Sequence, residues 1–461
     1  MRNAGEALAY RIALWWLGGP RCPATGRGVE ARRDGAAAAT LVRRSRMSRD
    51  GLASVRQVWW DQVRLEPYLT TWRYVLLLEA VEQWNMCEAE EGGSGESQGG
   101  ILVVQLEHLG NLIHTIPLIR ALQDRFSAIP IHLLVGPWCA DLARRIGGVE
   151  EVIVYAPRTL QLNRGDRRSC LSWGDELKFL RSLRMRRYRL LVSCGPGNLV
   201  DRLLIQAVRP GRWLGARKAG DIYPEWCAAS PVRYDSRKWE AVRLLSLAGP
   251  GERPGRAAAS LSFPLDEESR RFGRETAAAA RKRVGPQAAL VVIAPGAGWP
   301  GRVWPAEYYV ELVSALEQVG AAVVLVGGRD TFRRAREIAR RAPVALNLAA
   351  RTTLVQAAGI IAAAEVFVGS DSGLLHVAAA LGVSAVGLYG PIRPLQWALR
   401  GPAHLALYHP VSCGGCQSWH PRSRCRDDRA CMRAISPAEV LAGVRELLDV
   451  RRRGRRPAAG D

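Results

Sequence analysis

The chain has 461 residues, 48% of them hydrophobic and 23% charged; that is long enough for two or three domains and excludes disorder throughout. Lys+Arg total 65 against 43 Asp+Glu, a formal charge of +22, yet only four of the basic residues are lysines (Lys178, Lys218, Lys238 and Lys282). Such an arginine excess fits compositional bias better than phosphate recognition, and no segment sets it beside stacking aromatics, so nucleic acid is not an expected partner.

Ten cysteines are too sparse for a disulfide scaffold, and Cys22, Cys87, Cys139, Cys170, Cys194 and Cys227 stand singly, which argues for a reducing, cytoplasmic compartment. The opening MRNAGEALAYRIALWWLGG is interrupted by Glu6 and Arg11, with no clean small-residue cleavage pattern after it, so no signal peptide is expected. Residues 1–100 differ from the rest: the first 60 carry 11 Arg against 4 acids, residues 61–100 carry 2 against 8, and the region closes in EGGSGESQGG, a linker by composition. Between Val55 and Val81 a Trp- and Leu-rich stretch, broken at Pro67, predicts amphipathic helices. Two readings stay open for it: a poorly ordered extension, with Met47 as an alternative start, or a membrane-surface helix carrying Trp59, Trp60 and Trp72.

From Ile101 the pattern becomes strand, turn, helix. ILVVQL suits a buried parallel strand, EHLGN a turn, and LIHTIPLIRALQDRF has helical spacing of apolar residues. IHLLVG and EVIVYA follow as strands. A second set begins at ALVVIAPG (289–296), continues through the helix AEYYVELVSALEQVG and the strand AAVVLVGG, and then a helix near Thr331 and LVQAAGIIAAA. The strand VFVGS, the helix GLLHVAAALG and the strand SAVGLYG close it. The apolar stretch from Ser372 to Ile392 holds His376, glycines and Pro391, and reads as a buried helix and strand rather than a membrane span. Strands alternating with helices specify parallel sheets with right-handed crossovers, so the expectation is an α/β protein with two Rossmann-like blocks separated by the Arg- and Pro-rich stretch 249–287.

In such sheets ligands bind beyond the carboxyl ends of the strands. Four loops lie there. Leu106 to Asn111 lacks the G-x-G-x-x-G fingerprint, which removes the main support for a dinucleotide cofactor. Ala294 to Pro305 exposes backbone amides among small residues; Pro305 can open a helix, and Arg302 offers a fork of donors matched to phosphate oxygens, although a plain Gly/Pro turn with a surface arginine has the same composition. In Gly369 to His376, Asp371 or Ser372 can cap the following helix while Gly373 keeps its first amides accessible to an anion. The plain alternatives are an N-cap for Asp371 and a satisfied core histidine for His376. Gly390-Pro391 is the fourth. Farther on, Cys413, Cys416, Cys425 and Cys431 fall within nineteen residues, beside His420; their spacing fits a structural zinc site, although the second pair lacks the usual C-x2-C knuckle.

These loops fall in a recognisable order. From about Ile101 to Leu448 the chain resembles glycosyltransferase family 9, the heptosyltransferases of lipopolysaccharide core assembly, through LGNLIHTIPLIRAL, APGAGWPGRVWP, VGSDSGLLHVAAALGVSAVGLYGP and CGGCQ…CMRAISPAEV. The resemblance implies a GT-B fold of two Rossmann-like domains flanking a cleft, and inverting transfer, without metal or cofactor, from a nucleotide-activated sugar such as ADP-heptose to a lipid-linked glycan acceptor. It also implies a cytoplasmic protein, with the cytoplasmic face of the inner membrane as a place of peripheral contact. The implied division is an extension and linker, partly disordered, over 1–100; an acceptor domain over 101–265; a donor domain over 266–448; and a basic tail over 449–461. By the same resemblance Asp371, Ser372, Gly373, Leu374 and His376 match the donor motif, Arg302 matches a residue that contacts the diphosphate, and Asp330 matches loosely an acid that contacts the ribose. The chain departs where the family has Gly-Asp, whose Asp is the proposed base: here Gly110-Asn111 stands, and an amide has no useful basicity. Either Glu107 or His114 takes over, or Asn111 only orients the acceptor, or the chain is a weak or inactive relative that binds nucleotide-sugar or glycan.

Overall fold

In the computed structural model the described residues are 99–156, 173–195, 199–217, 237–248, 259–413 and 428–454, with Val81, Leu171, Val232, Arg233, Asp235 and Cys425. The helices expected over Val55–Val81 and most of the Gly/Ser linker lie outside them. Val81 is the exception: it is helical and has no exposed surface. The linker's last two residues are already strand.

The chain divides into two compact units. One comprises Met1–Gln98, Ala156–Tyr188 and Leu199–Gly211; the other comprises Gly99–Tyr155, Arg189–Asn198 and Arg212–Asp461 and holds both sheets. The first half runs β1 (Gly99–Gln105), α1 (Leu109–Arg125), β2 (Ile131–Val135), α2 (Ala140–Ala143), β3 (Glu151–Val154), α3 (Trp173–Met185), β4 (Tyr188–Ser193), α4 (Leu199–Val208), β5 (Arg212–Arg217), β6 (Val232–Arg233) and α5 (Glu240–Leu245). Within the first unit, buried Arg184 of α3 donates to the Ala207 carbonyl of α4 at 3.3 Å. The strands form a six-stranded sheet in the order β3-β2-β1-β4-β5-β6, parallel at every pairing whose register is defined. Ile101 to Val104 are at most 2% exposed, as a continuous apolar run covered on both faces must be.

The second half runs α6 (Glu267–Arg281), β7 (Leu290–Ala294), α7 (Ala306–Gln318), β8 (Ala322–Leu325), α8 (Phe332–Arg341), β9 (Leu346–Asn347), α9 (Leu354–Ala362), β10 (Val366–Ser370), α10 (Gly373–Ala380), β11 (Ser384–Tyr389), α11 (Pro394–Trp397), β12 (His404–Tyr408), α12 (Ala430–Arg433) and α13 (Pro437–Gly454). Its sheet is also parallel and repeats the first order, β12-β11-β10-β7-β8-β9. In α7 the buried residues are Tyr309, Leu312, Val313 and Leu316, one stripe at helical spacing. Burying each such side chain is worth about 1.5–3 kcal/mol. Helix α10 ends at Gly382, whose φ of +71° is in the left-handed region; Val383 N then donates to Ala378 O at 2.9 Å, closing the helix end.

Two expectations need correction. The stretch 249–287 is not wholly a separator, because α6 occupies its end, capped by Asp266, whose carboxylate accepts from Ser269 N at 2.8 Å. Its inward face is small rather than strongly apolar. A Cβ on Gly273 would lie 1.9 Å from Gly359 O, and one on Gly359 the same distance from Ser269 O, so α6 and α9 cross backbone to backbone. The basic residues expected as a tail from 449 begin inside α13, where Arg451 donates to Ala364 O and Glu365 O at 3.4 and 3.2 Å.

Candidate functional site

In each sheet the strand order reverses beside its first strand, between β1 and β4 and between β7 and β10. A crevice opens at such a switch point because consecutive crossovers leave to opposite sides. The loops singled out in the sequence lie at these points: Leu106–His108 after β1, Pro295–Pro305 after β7, and Asp371–Ser372 after β10.

The first of them is not a turn through Asn111. Helix α1 begins at Leu109 with His108 as N-cap, so Gly110 and Asn111 lie in its first turn. Gln105, fully buried, ties the segment down: its Nε2 donates to Thr115 Oγ1 at 2.8 Å and to Asn111 O at 3.4 Å, and its Oε1 accepts from Glu107 N at 3.2 Å. Trp138 Nε1 donates to Glu107 O at 2.6 Å. The Asn111 amide donates to the partly exposed carboxylate of Glu107. An amide cannot take a proton here, but it can hold a carboxylate that does.

After β7 and β10 the geometry is ionic. Arg302 Nη1 lies 3.2 Å from Asp371 Oδ2 and donates to Asp371 O at 3.2 Å, and its guanidinium stands 5.9 Å from the Trp299 ring centre. Asp371 is 4% exposed; of the two capping candidates Ser372 takes the N-cap position of α10, with no side-chain cap hydrogen bond, while Asp371 Oδ1 faces His376 Nε2 at 3.6 Å. Burial alone would push the Asp371 carboxyl up, but the Arg302 cation and His376 outweigh it and hold it below the ordinary carboxylate range. Ser372, Gly373 and Leu374 keep partly exposed positions at the start of α10, where first-turn amides have no acceptor within the helix. Asp330 is exposed in the short turn Arg329–Thr331 after β8, next to the Arg302 loop: a Cβ on Gly296 would lie 1.9 Å from Thr331 Cγ2, and Arg334 donates to Pro295 O at 3.0 Å.

The β1 and β10 segments meet. A Cβ on Gly110 would lie 2.6 Å from His376 Cδ2, and one on Gly373 would lie 3.0 Å from Leu109 Cβ, so α1 and α10 approach through their glycines. His114, one turn into α1, is completely buried, with Nε2 3.1 Å from His376 Nδ1 and ring centres 5.7 Å from both Trp239 and Trp397. Burial, then His376 and Arg243, push its imidazole well below the ordinary value. It is neutral, and with no exposed surface it is not placed to meet an acceptor hydroxyl.

Some contributors carry no sequence signal. His108 keeps exposed surface yet is crowded by protein; this crowding and the Arg302 cation lower its imidazole, Asp371 opposing. Glu240 and Arg243, 2% and 3% exposed, pair at 2.8 Å; Arg243 donates to Cys194 O at 2.9 Å and Gln396 Nε2 to Glu240 Oε2 at 2.9 Å, and the Arg243 charge acts on His114. Such partners are set by packing alone. Of the cysteine cluster, Cys431 is packed in the core beside Met432, Cys413 is partly buried, Cys425 is exposed and accepts from Arg429 N at 3.1 Å, and Cys416 lies outside the described residues. Among the described residues no group of three or more metal-ligating side chains occurs.

Comparison with known proteins gives one family. Residues 256–422 match the model for glycosyltransferase family 9 (heptosyltransferase). Lipopolysaccharide heptosyltransferase 2 of Escherichia coli K12 is 30% identical over 367 residues, covering 76% of this chain and 98% of that protein. Lipopolysaccharide heptosyltransferase 1 of Pseudomonas aeruginosa is 29% identical over 328 residues, covering 68% and 85%. The solved structure of E. coli ADP-heptose lps heptosyltransferase II superposes with a TM-score of 0.57 at 25% identity, over 77% of this chain and 99% of that one.

Proposed function

The chain belongs to glycosyltransferase family 9 and has its two-domain GT-B fold, and from that premise we propose that it transfers heptose from ADP-heptose to the core of a lipopolysaccharide acceptor. The observation that carries the reading is the gathering of the loops after β1, β7 and β10, where His108, Arg302 and Asp371 act on one another's charge and Glu107 stands next to His108 in the chain. Residues 266–448 serve as the donor domain and 101–265 as the acceptor domain. Arg302 meets the diphosphate, the open amides of Ser372, Gly373 and Leu374 take further phosphate oxygens, and Asp330 takes the ribose.

In the transfer the acceptor oxygen attacks the anomeric carbon from the face opposite the diphosphate, with inversion, while the bond to the diphosphate breaks. Negative charge grows on the leaving group, where Arg302 and the α10 amides lie, and this is how the step proceeds without a metal. The hydroxyl proton passes to the Glu107 carboxylate, which Asn111 holds by its amide. Glu107 is preferred over His114 because it is partly exposed and His114 is sealed inside. The acceptor being lipid-linked, the enzyme works at the cytoplasmic face of the inner membrane; the exposed arginines Arg333, Arg336, Arg340 and Arg341 of α8 suit anionic headgroups, and no helix among the described residues is long and apolar enough to cross a membrane. Incubating the protein with ADP-heptose and heptose-deficient lipopolysaccharide should add one heptose to the acceptor by mass. Release of ADP without a heavier acceptor would overturn the transfer reading.

A further inference from the structure

Four side chains form a line from the donor loops into the interior: Arg302 to Asp371 at 3.2 Å, Asp371 to His376 Nε2 at 3.6 Å, and His376 Nδ1 to His114 Nε2 at 3.1 Å. The line ends at His114 Nδ1, which is buried and has no hydrogen-bond partner among the described residues. That end decides the direction of the protons along it.

If His114 accepted from His376, its own N–H would sit on Nδ1, a buried donor with no acceptor among the described residues. Buried N–H groups without an acceptor are rare, and buried lone pairs without a donor less so. A lone pair at Nδ1 also suits the neighbouring positive charge of Arg243, which disfavours protonation of this ring. His114 therefore carries its proton on Nε2 and donates to His376 Nδ1. His376 then keeps its proton on Nε2, facing the carboxylate of Asp371, the only one of its neutral forms that can donate there.

We infer that His114, on the helix that follows β1, is a positioning residue for the donor site after β7 and β10: it fixes the tautomer of His376 and, through Asp371, the guanidinium of Arg302. This rests on the reading of Arg302 as the diphosphate contact, and it links the helix carrying Asn111 to the leaving-group side of the site. The packing is built for it. Gly110 leaves the room in which the His376 ring lies, and the rings of Trp239 and Trp397 stand nearly perpendicular to that of His114, at interplanar angles of 85° and 83°.

The test uses the full chain with ADP as probe. His114→Phe keeps a ring of similar size and removes the donor, whereas His114→Gln replaces an N–H near the position of Nε2. ADP affinity should fall about five- to tenfold in His114→Phe, the loss expected for one hydrogen bond, and return to within about twofold of wild type in His114→Gln. In steady state the change should fall on the donor KM and leave kcat nearly unmoved. In ¹⁵N-histidine spectra His376 should show its proton on Nε2 in the wild type and lose that preference in His114→Phe. Wild-type affinity in His114→Phe, equal losses in the two variants, or His376 protonated on Nδ1 would each overturn the inference. Failure of the wild type to bind ADP would instead overturn the donor-site reading, and the His376 spectra would still decide the tautomer.

Discussion

Replacing Arg302 by alanine should expose how the proposed donor site is held before any substrate arrives. The cation lies 3.2 Å from Asp371 Oδ2, and the two side chains are 16% and 6% exposed. Burial is the strongest influence on Asp371 and raises its carboxyl, while Arg302 is the largest influence against it. Breaking a buried pair from one side costs about 3–5 kcal/mol; the residual exposure of Arg302 lets water into the gap, so about 3 kcal/mol is expected near pH 7. The sign with pH follows from linkage. In the wild type the folded carboxyl titrates below its unfolded value, so its stabilisation is full above the unfolded value and is lost only as pH falls through the lower folded one. In Arg302→Ala burial dominates and the folded value lies above the unfolded one. The variant's deficit is then greatest at neutral pH and shrinks as pH falls through the raised folded value, by up to about 1.4 kcal/mol per pH unit. Denaturant unfolding of both proteins at pH 7.5 and 5.5 measures this, and adding Asp371→Asn to the Arg302→Ala chain should remove the pH dependence. A deficit equal at the two pH values, or larger at 5.5, would refute the account of Asp371. The same Arg302→Ala protein should bind ADP about ten- to a hundredfold more weakly, the loss of a charge-assisted contact.

Glu107→Gln should lower kcat about a hundredfold or more with the donor KM little changed, read by steady-state turnover at saturating ADP-heptose. Asn111→Asp would set a second carboxylate against Glu107, so one of the pair titrates upward; turnover should be retained while the acid limb of the pH–rate profile moves up, and an unmoved limb counts against Glu107 as base. Gly359→Ala forces a methyl into the carbonyl of Ser269 and should cost about 3 kcal/mol or more, seen as a lowered Tm in thermal melts. Arg243→Met leaves Glu240 buried without its cation and should cost about 3–5 kcal/mol in unfolding, most of it recovered by the double change with Glu240→Leu.

The sequence by itself determined the strand-helix alternation, because covered parallel strands are continuous apolar runs and helices such as α7 repeat their apolar residues every third or fourth place. It also marked the loops of the candidate site, since Arg302 and the Asp371–His376 segment follow strands in an order distinctive of the family. It was silent about α6, whose packing depends on the absence of side chains at Gly273 rather than on a strong apolar stripe. Only the tertiary structure decided the partners. It gave the capping position to Ser372 and made Asp371 the counter-ion of Arg302, set Gly110 against His376 across 266 positions of chain, and sealed His114 away from solvent while leaving Glu107 in reach of it. Periodicity reports which face of an element is covered, but a side chain's protonation and role depend on charges within a few ångströms, and those come from segments that only folding brings together.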